Sequence, residues 1–296
     1  MAIRNRRETL RTGLLALTLC WASAWAWAAG DSKAALVEHG KRLMNGIVAC
    51  GNCHVQRGPQ GEPLFDKGQS GGMVFDEPPF RAVASNITPD KATGIGRWTD
   101  AQLAKAIREG LRPDGTLIGP PMPIAYYRQL SDRDLAAIVA YLRAQPAVEH
   151  AVEKSVYRMP LPASYGPPVR HVNTPSAKDK HKRGEYLANI GHCMECHTPR
   201  SPKGELLMSQ RGAGGQAFTG PWGTSVSRNL TPHESGLKDW TDAEIARAIR
   251  DGVRKDGTPL KPPMGFGFYK TIIDADMDAL IAYLRSLKPL ASGGKS

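Results

Sequence analysis

The sequence predicts an all-α protein: two tandem copies of one small helical domain joined by a proline-rich linker. Three observations predict it. Long stretches recur in order, with Cys193 following Cys50 by 143 residues, and a repeat of that length is a whole small domain rather than a solenoid unit. Apolar residues recur at helical spacing, and nothing alternates with period two for long enough to make a sheet. Between the copies runs "VEKSVYRMPLPASYGPPVRHVNTPSAKDK", rich in proline and without periodicity.

Residues 1–28 read as an export signal. Arg4, Arg6, Arg7 and Arg11 form a basic start, "GLLALTLCWASAWAWAA" an apolar middle, and Ala26-Trp27-Ala28 a small-residue cleavage site. That puts the mature protein in the periplasm. An uncleaved anchor stays open, because the apolar run approaches the ~18 residues a membrane span needs. A lipoprotein signal fits poorly, since Cys20 follows Leu19, and Arg6-Arg7 makes a weak twin-arginine match. No later segment is apolar enough to span, so the mature chain is expected to be soluble or peripheral at the inner membrane.

The first copy covers 31–150, the linker 151–178 and the second copy 179–290. Each opens with a helix, about Lys33 to Asn45 and about Arg183 to Asn189. A middle helix follows in "RWTDAQLAKAIREGLRPDGT" and "DWTDAEIARAIRDGVRKDGT". Thr99 with Gln102, and Thr241 with Glu244, form capping boxes that satisfy first-turn amides. Gly110 and Gly252 suit the left-handed position that ends a helix. The last helices, Asp132 to Ala144 and Asp274 to Leu287, carry apolar residues such as Leu135, Ile138, Val139 and Leu142 on one face; Pro146 and Pro289 stop them. His150, His171 and His181, in or near the linker, read as solvated histidines.

The formal charge of +11 falls once the four arginines and one glutamate of the leader are removed. Lys/Arg blocks interleaved with aromatics are absent, which argues against nucleic acid; a basic surface that steers an acidic partner suits the composition better.

Cysteine usage carries the chemistry. Without Cys20, the remaining Cys50, Cys53, Cys193 and Cys196 all fall in "ACGNCHVQ" and "HCMECHTP". Cys-x-x-Cys-His suits half a zinc site, a thioredoxin-like redox pair or a c-type haem attachment. Zinc leaves the adjoining histidine unexplained, and a redox pair wants a βαβ setting. Haem attachment explains every element: two thiols bond the macrocycle covalently, and His54 or His197 reaches the iron. Two such units imply two covalently bound haem c groups. An opposite methionine ligand should recur at matching positions, and Met122 in "GPPMP" and Met264 in "KPPMG" do so. Met73 aligns with Gln216 and Met44 with Ala188, and Met277 reads as core.

On these residues each repeat resembles a class I cytochrome c domain. In that resemblance Gly40 and Gly184 allow the first helix to cross the last against Tyr141 and Tyr283. More narrowly, "SNITPDKATGIGRWTD", "AIREGLRPDGT" and "PPMP" resemble the cytochrome c subunits of membrane-associated alcohol, gluconate and related dehydrogenases, many of which carry three haem domains rather than two. The resemblance implies an electron-transfer protein and not an enzyme, with a dehydrogenase catalytic subunit as donor and a cytochrome, an oxidase or a quinone-linked chain as acceptor. Trp98 and Trp240 are expected beside the haems or in the core. Arg108 and Arg250 are candidates for propionate pairing, and Pro59 and Pro202 for carbonyls that orient the histidines. The alternative is a dihaem enzyme, peroxidase-like or sulfur-oxidising; it needs an iron that opens for substrate or a cysteine ligand, and no cysteine is spare.

Overall fold

In the computed structural model, which describes residues 31–59, 61–220 and 222–293, helix α1 runs Lys33–Met44 behind Ser32, whose hydroxyl accepts a hydrogen bond from the Ala35 amide. The expected leader, 1–28, lies outside the described residues. A short helix α2, Gly51–His54, carries the first Cys-x-x-Cys-His unit. After it come α3 at Asp100–Glu109, α4 at Ile124–Tyr127 and α5 at Asp132–Ala144. The second half repeats the order: α6 at Lys180–Ile190, α7 at Cys193–Cys196, α8 at Asp242–Asp251, α9 at Phe266–Tyr269 and α10 at Asp274–Ser286.

The sequence rules for these helices hold. Both capping boxes are formed, and Gly110 and Gly252 end α3 and α8 at φ 69° and 66°, a region that costs other residues roughly 1–2 kcal/mol. Helix α1 crosses α5, and α6 crosses α10, at contact distance. A Cβ on Gly40 would lie 1.9 Å from the Ala137 carbonyl oxygen and 2.8 Å from Tyr141 Cβ; on Gly184 it would meet Ala279 and Tyr283 at the same distances. Glycine is therefore required at both crossings. Leu135, Ile138, Val139 and Leu142 are buried on the inner face of α5, and Met277 is buried on α10 as core. Full burial of such a side chain contributes about 1.5–3 kcal/mol.

The all-α expectation is corrected: the fold is mixed α/β. Among the described residues, short strands join the helices in two antiparallel sheets. Strands β1 (Val74–Glu77) and β2 (Phe80–Val83) pair with Val74 opposite Val83, and β3 (Val156–Tyr157) adds to β2 with Phe80 opposite Tyr157. In the second half β4 (Ala217–Gly220) pairs with β5 (Gly223–Val226). Each strand of the two hairpins is only four residues long, and β1 and β5 are mostly exposed, so neither apolar alternation nor length signals them in sequence. The expected linker thus supplies a strand, and it is further tied to the first half where Tyr165 Oη donates to the Ile118 carbonyl at 2.7 Å. His150 is not simply solvated either, since its Nδ1 lies 2.9 Å from the Ser70 carbonyl oxygen.

The halves touch at specific points. Tyr186 of α6 donates to buried Asp134 of α5 at 2.5 Å and accepts from the Ser131 amide at 3.0 Å, while His39 of α1 bonds the other Asp134 oxygen at 2.6 Å. Among the described residues, no helix is long and apolar enough to cross a membrane.

Candidate haem-binding centre

Each Cys-x-x-Cys-His unit is one helical turn entered through a left-handed residue. Ala49 has φ 47° before the first and His192 φ 43° before the second. Such backbone is costly for a residue with a Cβ and persists only where its surroundings impose it. The turn then presents Cys50, Cys53 and His54, or Cys193, Cys196 and His197, toward one cavity.

The histidines are oriented by backbone. His54 Nδ1 lies 2.8 Å from the Ser85 carbonyl oxygen, and His197 Nδ1 lies 2.7 Å from that of Arg228. A carbonyl only accepts, so Nδ1 carries the proton and donates, which leaves each Nε2 as an unprotonated metal ligand. Burial pushes both imidazoles below the usual histidine range, and these hydrogen bonds oppose the shift. The neutral form a metal needs is thereby favoured.

The "SNITP" and "RNLTP" stretches hold those carbonyls in place. Asn86 Oδ1 accepts from the Thr88 amide and hydroxyl at 2.9 and 2.8 Å, and Asn86 Nδ2 donates to the Val148 carbonyl at 2.8 Å. Asn229 repeats this with Thr231 and the Leu290 carbonyl. All four side chains are buried, so the loop that carries the acceptor carbonyl is locked to the chain beyond α5 or α10. The preceding glycines contribute as well: the Gly71 amide donates to the His54 carbonyl at 2.8 Å, and Gly214 does the same for His197.

The four cysteines, both histidines, Met122 and Met264 all line a single cavity of about 1930 Å³. A site for one drug-sized ligand spans ~300–1,000 Å³, so this volume suits two large groups rather than one. Trp98, Trp240, Tyr127 and Tyr269 line it too. The thiols are unbridged, and burial pushes Cys50 and Cys196 up to about 12 and Cys53 and Cys193 up to about 11. They are held as neutral thiols in an apolar wall. Among the described residues, no group of three or more His, Cys, Asp or Glu is placed to hold a bare metal ion, so the two cysteine pairs do not form a zinc cage.

The donor set fits haem c on this geometry. Thiol pairs sit beside a correctly protonated histidine, a thioether lines the same cavity, and the lining is largely apolar. Arg254 adds a polar feature, because it lines the cavity and its Nε is buried without a hydrogen-bond partner. A carboxylate-bearing ligand would supply that partner.

Two expected roles fall elsewhere. Arg108 donates to Asp132 at 2.8 Å and to the Leu130 carbonyl at 2.6 Å, and Arg250 donates to Asp274 and the Ile272 carbonyl. Both tie a middle helix to the start of the last one instead of reaching a propionate. The carbonyls that receive the histidines belong to Ser85 and Arg228, not Pro59 and Pro202. Sequence reasoning misses them because a backbone acceptor has no residue signature, although the repeated Asn-x-Thr beside them marks the place. Tyr127 and Tyr269 are within reach of the repeat, since they align beside the two methionine loops.

Comparison with known proteins agrees with this geometry. The family profile for cytochrome c matches residues 181–288. The chain is 30% identical to a diheme cytochrome c-type protein of Cereibacter sphaeroides, over 80% of this chain and 81% of that one. It is 31% identical to the gluconate 2-dehydrogenase cytochrome c subunit of Pantoea cypripedii, over 93% of this chain and 64% of the subunit. It is also 30% identical to a nicotinate dehydrogenase subunit of Pseudomonas putida, over 93% of this chain but only 24% of that protein. The chain therefore spans about a quarter of the last relative and under two thirds of the gluconate one. The chain belongs to the cytochrome c family, whose members bind haem c covalently and transfer electrons.

Proposed function

We propose that the chain is a periplasmic dihaem cytochrome c that takes single electrons from a dehydrogenase catalytic subunit and passes them to a respiratory acceptor: a cytochrome, an oxidase or a quinone-linked chain. Its parts are a leader at 1–28, haem domains at 31–150 and 179–290, and a connecting segment at 151–178. Cys50 and Cys53 tether one haem and Cys193 and Cys196 the other. His54 and Met122 ligate the first iron, and His197 and Met264 the second. Haem iron so ligated supplies one-electron exchange at a raised potential.

The observation that carries this reading is the single cavity lined by both complete sets of donors. Ser85 and Arg228 hold each histidine in the metal-binding tautomer, and the lining around them is largely apolar. Met122 and Met264 would complete the two ligand sets, which would leave neither iron open to substrate. The dehydrogenase donor is supported by the names of relatives, the gluconate 2-dehydrogenase cytochrome c subunit among them.

Two experiments test the proposal. The reduced protein is expected not to bind carbon monoxide, and Met122→Ala is expected to open one haem only; ready binding by the unmodified protein would point to an enzyme. Native purification from membranes is expected to bring down a dehydrogenase whose substrate reduces both haems. Purification free of any dehydrogenase would overturn the partner.

A further inference from the structure

The two methionine loops are braced by different parts of the chain. In the first half the bracing comes from the connecting segment: Tyr157 packs so closely on Gly119 that a Cβ there would lie 2.5 Å from its ring. Tyr165 Oη donates to the neighbouring Ile118 carbonyl. The second loop is held instead from β5 and from the first half. Ser225 donates to the Pro262 carbonyl at 2.7 Å, and Asn52 Nδ2 donates to the Pro263 carbonyl at 3.3 Å, directly before Met264.

Asn52 lies inside the first Cys-x-x-Cys-His turn, and that turn is held in place. Arg57 donates to the Asn52 carbonyl at 2.6 Å. The surrounding contacts run the same way. Gly265, beside Met264, packs against Ala49 and Asn52; the Phe268 ring covers Gly51; and Thr271 Oγ1 donates to the Asn45 carbonyl at 2.6 Å. The converse face is partly symmetric, with Asn189 donating to Gln129 at 2.8 Å and the His192 and Tyr127 rings edge to face. The residue equivalent to Asn52, however, is Glu195, whose carboxylate has no N–H to offer a carbonyl and lies 3.5 Å from His192 instead.

We propose that Asn52 is a positioning residue for Met264: its amide, fixed on the first haem-attachment turn, holds the Pro263 carbonyl and so the loop that presents methionine to the second iron. The first haem domain thereby completes the second centre, with no matching amide from Glu195 in the other direction. This rests on Met264 being the axial ligand.

The test uses the full-length holoprotein carrying Met122→Ala, in which the ferric methionine-to-iron charge-transfer band reports the second haem alone. Imidazole is titrated until it displaces the methionine. Adding Asn52→Ala, or the isosteric Asn52→Asp that lacks a donor, is expected to lower the half-displacing imidazole concentration about fivefold, the effect of losing one ordinary hydrogen bond. An intact band with an unchanged titration in both variants would overturn the role of Asn52 alone. Absence of the band in the Met122→Ala parent would overturn Met264 as ligand, and the positioning role with it.

Discussion

Asp134 is fully buried, and the groups around it decide its charge. Burial pushes its carboxyl up, but hydrogen bonds from His39 and Tyr186 and the nearby cations outweigh that and hold it below the usual carboxylate range. A carboxyl lowered in the folded state stabilises the fold above its unfolded value of about 3.9, and the contribution is lost as pH falls through the lower folded value. The holoprotein is expected to lose stability on acidification below about pH 4, and Asp134→Asn to flatten that limb of a denaturation profile. Tyr186→Phe leaves the carboxylate one donor short and is expected to cost about 1–3 kcal/mol in urea unfolding. Two arginines separate by their partners. Arg108→Gln should lower stability by about 1–3 kcal/mol without moving either haem potential, because its partners are Asp132 and Leu130. Arg254→Gln should lower the potential of the second haem in a redox titration, since a cation at the cavity wall favours the reduced iron. The candidate ligand residues are legible at this scale because spacing and repetition pick out the cysteines, histidines and methionines that the fold gathers around one cavity. Arg108 is not, because a helix-end arginine has the same appearance in sequence whether it meets a propionate or an aspartate.

The three longer helices of each copy are legible nearly end to end, since caps, left-handed glycines and apolar faces are all local signals, whereas the one-turn helices α2, α4, α7 and α9 are too short to carry such a pattern. The second copy's first helix is longer than its sequence signal: it begins at Lys180, capped by Asp179, before the apolar stripe that marks it. The strands are not legible. A four-residue strand offers two periods at most, and in β1 only Phe75 is even partly buried. Pairing and the packing of neighbouring loops hold these hairpins, and isolated hairpins of this size are marginal. The helix crossings make a sharper demand. Gly40→Ala and Gly184→Ala would each drive a methyl group into a backbone carbonyl, and overpacking of this kind costs roughly 1–3 kcal/mol or more. Each variant is expected to melt earlier, and the ferric methionine-to-iron charge-transfer band of its own half is expected to fade first on heating.

Across the whole molecule the duplication is not a simple doubling. The cavity is shared, Tyr186 of the second half completes a buried cluster in the first, and Asn52 of the first reaches the methionine loop of the second. The repeat is plain in the sequence, but the placement of one copy against the other is not, because those contacts join residues with no shared pattern. The connecting segment, a spacer by its composition, also braces the first methionine loop. An arrangement of this kind suits the proposed passage of an electron from one haem to the other.

The intact mass of the mature protein tests the central claim most directly. Two covalently attached haems per chain are expected, falling to one when Cys193 and Cys196 are both changed to serine. A single haem on the unmodified chain, or none, would contradict the proposal of two centres.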